Sequence, residues 1–236
     1  MSSEVHVLPS PEAAGVALAQ WTAGRLWQAA NMGHGFHLAL AGGSTPIPFF
    51  TALGQMADLP WQQLWLYWSD ERCVPPNHPE SNYGLARRHL LTRAHVPKQQ
   101  IERLRGEIDP EVEARRYGEL LRQRLPQQDR QPILDLILLG LGEDGHTASL
   151  FPGDDDALAS HEPCTAVIHP LSGQLRLSMT PALINRARAV AFLVTGAAKA
   201  GILARVRNPG RSYPAQHIHP AELHFFVDAA AAGRKA

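Results

Sequence analysis

His146 lies within Gly140-Leu141-Gly142-Glu143-Asp144-Gly145-His146-Thr147-Ala148-Ser149-Leu150-Phe151-Pro152-Gly153, a loop that follows the most apolar stretch of the chain, Ile133 to Leu139. A histidine held there by flanking glycines can take or give a proton near neutral pH, or it can serve as a hydrogen-bonding structural side chain. Asp144 either orients that imidazole or is an exposed loop acid. Other segments suit an anion. In Gly42-Gly43-Ser44-Thr45-Pro46, the two glycines let the backbone approach a ligand, and Ser44 or Thr45 would cap a helix opened by Pro46, leaving amides free for a phosphate or simply making a capped turn. Arg72, in Ser69-Asp70-Glu71-Arg72-Cys73-Val74-Pro75-Pro76, can grip a phosphate through two parallel hydrogen bonds or pair with Asp70 or Glu71. Lys199, in Gly196-Ala197-Ala198-Lys199, puts an ammonium beside helix amides or is a solvated helix lysine. Arg176, on a short strand before the Thr180-Pro181 helix start, is a weaker anion contact.

Several chemistries are excluded by spacing. The G-x-x-x-x-G-K-[ST] phosphate loop is absent, so nucleotide triphosphate binding is unsupported. Gly140, Gly142 and Gly145 do form a G-x-G-x-x-G, but Glu143 and Asp144 would face a pyrophosphate, Pro152 cuts the following helix short, and Glu162 precedes its strand instead of ending it. Without a Gly-x-Ser-x-Gly elbow, any ester hydrolysis would use activated water. His34 and His37, or His217 and His219, lack acids and cysteines at ligand spacing, so no metal is assigned.

The elements that must position these residues alternate. Ser10-Pro11-Glu12 starts a helix whose apolar residues Ala14, Leu18, Trp21 and Leu26 carry it to about Met32. Strands are expected at Phe36 to Ala41, Leu64 to Trp68, Ile133 to Leu139, Ala189 to Val194 and Leu223 to Val227. A polar loop follows Trp68; helices are expected from Ser81 to Leu91, from Asp109-Pro110, and from Gly196 to about Arg207. Such alternation predicts an α/β fold, a mainly parallel sheet with helices on both faces and the loops with chemistry gathered at the strands' carboxyl ends. No repeat or linker marks a second domain, so one domain is expected over residues 1–236.

Charge and composition narrow the partners. The 22 basic and 22 acidic residues cancel, so no bulk field draws the chain to nucleic acid or an anionic membrane, and any bound anion must be held locally. Cys73 and Cys164 form no framework, the first residues lack a signal-peptide pattern, and no apolar run is long enough to span a bilayer. A soluble, cytoplasmic protein is expected, with a monomer plausible.

Together, Ala41 through Pro46, Ser69 through Pro75 with Glu80-Ser81-Asn82-Tyr83, Gly140 through Gly153, and Gly196-Ala197-Ala198-Lys199-Ala200 resemble the 6-phosphogluconolactonases of the pentose phosphate pathway. The resemblance implies a Rossmann-like α/β/α sandwich, no cofactor, and 6-phospho-D-glucono-1,5-lactone as substrate. It also implies His146 as general acid or base and a phosphate lying against Gly43, Ser44 and Thr45 with Arg72 and Lys199 around it. Asp70, Asp144 and Arg176 remain supporting residues. The chain departs from the family pattern at Tyr213-Pro214-Ala215-Gln216 and at Phe225-Phe226-Val227-Asp228, neither of which is expected to touch the catalytic loop. Glucosamine-6-phosphate deaminases share the Asp-Gly-His loop but continue with an Asn-Glu-Pro type of run, where this chain has Ser149-Leu150-Phe151-Pro152. A sugar-phosphate sensing domain is the non-catalytic alternative, and no basic or helix-turn-helix segment accompanies this one.

Overall fold

The computed structural model describes residues 3–208, 210 and 212–234. It opens with a strand that the sequence pattern did not announce, β1 (Ser3–Leu8), in which Glu4 and His6 alternate with Val5 and Val7. Helix α1 (Pro11–Asn31) starts as expected, with the Ser10 hydroxyl accepting from the Ala13 amide at 3.2 Å. The remaining strands are β2 (Phe36–Leu40), β3 (Leu64–Trp68), β4 (Asp70–Arg72), a small hairpin of β5 (Gln127–Gln128) and β6 (Gln131–Pro132), β7 (Leu136–Leu139), β8 (Cys164–Ile168), β9 (Leu175–Met179), β10 (Ala189–Val194) and β11 (Glu222–Asp228). Between them lie α2 (Ile47–Gly54), α3 (Asn82–Ala86), α4 (Pro110–Arg124), α5 (Asp155–Ala159), α6 (Pro181–Ile184) and α7 (Ala200–Arg207).

Six strands form one parallel sheet in the order β1-β11-β10-β7-β2-β3. Its central strands are buried along their length, as parallel strands covered by helices must be. The chain adds β2 and β3 toward one edge and β7, β10 and β11 toward the other, so the strand order reverses between β2 and β7. Loops leaving neighbouring strands in opposite directions open a crevice at their carboxyl ends, where open α/β sheets bind ligands.

Three local differences from the sequence reading matter. The strand expected from Ile133 begins only at Leu136, because Asp135 is diverted: its amide donates to the His37 carbonyl at 3.0 Å and its carboxylate accepts from the His37 amide at 2.8 Å. The loop after Trp68 instead enters a second, antiparallel sheet, β4-β9-β8, at Asp70. Ser69 joins the sheets, donating its amide to Leu40 and accepting from Met179. The helix expected from Ser81 to Leu91 is α3 followed by a wider π turn at Arg87–Leu91. No helix among the described residues is long and apolar enough to cross a membrane.

His37 gives the fold a pH dependence. Buried on β2 with Nδ1 3.1 Å from the Tyr67 hydroxyl, it has its pKa lowered by desolvation from 6.5 to about 4. Between those values the unfolded chain binds the proton and the native state resists it, so stability falls as pH drops from 6.5 toward 4. The full loss is about 3 kcal/mol at ~1.4 kcal/mol per pKa unit. Urea denaturation at pH 7.5 and 5 should show a smaller pH effect in His37→Phe than in wild type; equal pH effects would remove His37 as the cause.

Candidate active site

Ala41, Gly42, Gly43 and Thr45 after β2, Asp70 and Arg72 on β4, Gly140, Leu141, Gly142, His146 and Ala148 after β7, Arg176 on β9, and Lys199 after β10 line one cleft at the β2/β7 crevice. Its volume of about 200 Å³ is below the roughly 300–1,000 Å³ of drug-sized sites, which suits a small polar ligand better than a dinucleotide. A larger cleft of about 700 Å³ elsewhere is lined by Asp109, Glu111, Asp154 and Asp156, an acidic wall unsuited to phosphate. Of the residues expected at the site, Ser44 and Asp144 lie outside the lining. Ser44 is exposed, and neither it nor Thr45 caps α2 through its side chain; the turn is closed by the Ser44 carbonyl accepting from the Ile47 amide at 3.2 Å. Among the described residues, the amides of Gly43, Ser44 and Thr45 donate to no backbone or side-chain acceptor.

Arg72 and Arg176 are register partners across β4 and β9, two like charges facing the same cleft. Like charges directly opposite on neighbouring strands are destabilising. The carboxylates near them are engaged elsewhere. Glu71 is buried, and its two oxygens accept from the amides of Arg72, Asn82 and Tyr83 and from the Ser81 hydroxyl, at 2.7–3.0 Å. Asp70 accepts from the Ser149 hydroxyl at 2.8 Å and the Asn82 amide group at 3.2 Å. Arg72 therefore does not make the salt bridge that its neighbours in sequence offered. One guanidinium nitrogen donates to the Glu80 carbonyl at 2.6 Å, and its buried Nε has no partner among the described residues. Arg176 donates Nε to Gln174 at 3.2 Å and lies over the Phe151 ring; burial, and then the charge of Arg72, lower its pKa. Lys199 adds a third cation, 3.9 Å from the exposed Glu143 carboxylate.

The loop after β7 is folded around His146. Its Nδ1 is 2.6 Å from Asp144 Oδ1, and the same oxygen accepts from the His146 amide at 3.1 Å. Partial burial acts to raise the Asp144 pKa, but the bonds and charge of His146 outweigh it and hold the carboxyl below its ordinary range. Because a carboxylate only accepts, Nδ1 carries the proton, so in the neutral imidazole the lone pair is on Nε2. The imidazole is 30% exposed and leans on Phe151, ring centroids 5.1 Å apart. Gly142 is required by this arrangement, since a Cβ there would lie 2.1 Å from His146 Nδ1. Ala148, next to the cleft, holds φ at 49°, a left-handed conformation that costs a non-glycine residue about 1 kcal/mol or more. No helix starts at Gly142–Gly145 to receive a pyrophosphate; the next one is α5.

Sequence reading missed the ties between these loops. Asn82 donates to the Asp70 carbonyl at 2.9 Å as well as to its carboxylate, and Ser149 joins the same carboxylate, so the ends of β3–β4, the start of α3 and the histidine loop form one knot. The expectation for Tyr213 is overturned. A Cβ on Gly145, at φ 83°, would lie 2.5 Å from the Tyr213 ring, and the Ala215 amide donates to the Gly145 carbonyl at 3.1 Å. This segment therefore braces the residue before His146, because the long connection from α7 to β11 passes over that loop. Asp228, in the second departure, accepts the Gly196 amide at 3.0 Å and so fixes the turn that leads to Lys199.

Comparison with known proteins fits this geometry. Residues 9–227 match the family model described as glucosamine-6-phosphate isomerases/6-phosphogluconolactonase. A 6-phosphogluconolactonase of Haemophilus influenzae is 40% identical over 198 residues, covering 80% of this chain and 82% of that protein. The human 6-phosphogluconolactonase is 37% identical over 241 residues, covering 97% and 92%. The solved structure of 6-phosphogluconolactonase from Trypanosoma brucei superimposes with a TM-score of 0.87 at 26% identity, covering 98% of each chain. This chain belongs to the glucosamine-6-phosphate isomerase/6-phosphogluconolactonase family of enzymes.

Proposed function

We propose that this chain hydrolyses 6-phospho-D-glucono-1,5-lactone to 6-phospho-D-gluconate, with the phosphate held by Arg72, Arg176, Lys199 and the Gly43–Thr45 amides and with His146 activating water. The observation that carries the reading is a cationic wall facing an Asp144-oriented imidazole in the same cleft: Arg72 and Arg176 make no salt bridge among the described residues, and Lys199 has only the exposed Glu143 at 3.9 Å. Curated relatives named for this activity support the substrate class.

In the mechanism, water attacks the lactone carbonyl while His146 Nε2 takes its proton. The new C–O bond gives a tetrahedral oxyanion, its carbonyl π electrons moving onto oxygen. On collapse the ring C–O bond breaks, and the imidazolium returns its proton to the departing ring oxygen; the sum adds one water and leaves His146 unchanged. Asp144 keeps the productive tautomer and stabilises the transient imidazolium, the role of the acid in hydrolase triads. The phosphate contacts sit away from the carbonyl carbon, so they position the substrate and contribute chiefly to its binding.

His146→Ala should lower kcat by roughly 10²–10⁴, with a much smaller change in KM, and should abolish the acid limb of the kcat/KM profile after spontaneous lactone hydrolysis is subtracted. A folded variant with near-normal kcat would move the chemistry elsewhere. Asp144→Asn, whose amide would favour the wrong tautomer, should also act on kcat, by on the order of 10² or more. Loss of one charge-assisted phosphate contact in Arg72→Ala or Arg176→Ala should instead raise KM by roughly 10- to 100-fold. Unchanged KM in both would reject the phosphate assignment.

A further inference from the structure

At the sheet edge remote from the cleft, Glu4 and His6 on β1 meet His224 on β11. Glu4 is the register partner of His224, and His6 lies diagonally from it on the same face, since alternate residues of a strand share a face. Three ligand side chains converge: His6 Nε2 is 3.3 Å from His224 Nδ1, His224 Nδ1 is 3.4 Å from one Glu4 oxygen, and His6 Nε2 is 3.7 Å from the other. Zinc bonds of about 2.0–2.1 Å to nitrogen and oxygen at tetrahedral angles put neighbouring ligand atoms roughly 3.3–3.4 Å apart. We propose that Glu4, His6 and His224 bind a zinc-like divalent transition metal that clamps edge strand β1 to β11.

The surroundings fit a metal better than a chance cluster. The Glu4 carboxylate has no lysine or arginine partner among the described residues; Arg25, the nearby guanidinium, is taken by Glu222 and lies over Trp21. Glu222 also stands 3.6 Å from His224 Nε2, the nitrogen that the metal would not use, giving the carboxylate–histidine–metal relay that fixes ligand orientation. Stacking on Phe226 at 4.3 Å holds the His6 ring, and Trp21 packs 4.7 Å from His224. Glu4 is largely exposed, so water can complete the coordination and the ion can enter. Edge strand β1 pairs with β11 alone, so an ion bonded to both would stabilise a strand held from a single side. The site lies outside the catalytic machinery and takes no part in hydrolysis.

The test uses the untagged full chain, stripped with a chelator and titrated with zinc chloride by calorimetry at pH 7.5, with melting temperature followed in parallel. One zinc per chain should bind and raise the melting temperature, with lactone hydrolysis unchanged. His6→Ala should weaken zinc binding by on the order of 100-fold, and the isosteric, exposed Glu4→Gln by at least about 10-fold, both with wild-type hydrolysis rates as evidence of folding. Absence of stoichiometric uptake by the wild type, or uptake that both variants keep at wild-type affinity, overturns the site.

Discussion

Two arginines that face one another across β4 and β9 set the terms for the cleft. Placing two guanidinium groups in register on neighbouring strands is unfavourable, and a protein selected for stability alone would answer it with a carboxylate. Here the three acids in reach are engaged: Asp70 by Ser149 and Asn82, Glu71 by the Arg72 amide and three donors at the start of α3, and Glu80 by Gln174. The repulsion thus remains available to a dianionic ligand, which relieves it on binding. Glu143, exposed and loosely paired with Lys199, is a surface partner worth little and easily displaced.

Holding that wall in place requires the antiparallel sheet, and the same bonds that occupy the acids supply its attachment. The Asp70–Asn82–Ser149 knot ties the arginine strand to the histidine loop, so the binding and reacting ends of the cleft form one rigid unit. Tyr213 and Ala215 brace the histidine loop from its other side at Gly145. The strained Ala148 and the close approach of His146 to Gly142 lie between these two supports, where surrounding contacts can maintain them.

How much of this was legible in the sequence follows from the range of each interaction. The buried parallel strands and the cap of α1 are local patterns, legible in the sequence except at the start of β7, where Asp135 turns aside to bond His37. Strand β1 was missed because an edge strand need not be apolar, and β4 because its pairing partner lies about a hundred residues on. The same distance hid the arginine pair, leaving Arg176 a weaker candidate than Arg72. His6 and His224 could not be connected by spacing at all, and Tyr213 reaches Gly145 only through the fold.

If the arginine pair is maintained for a ligand, the stability of Arg176→Gln with and without 6-phosphogluconate is the most direct test. The free variant should be at least as stable as the wild type, because a like-charge contact is removed, while the stabilisation gained from ligand should largely disappear. A free variant that is markedly less stable, yet gains as much from 6-phosphogluconate as the wild type does, would show that Arg176 serves the fold and not the phosphate.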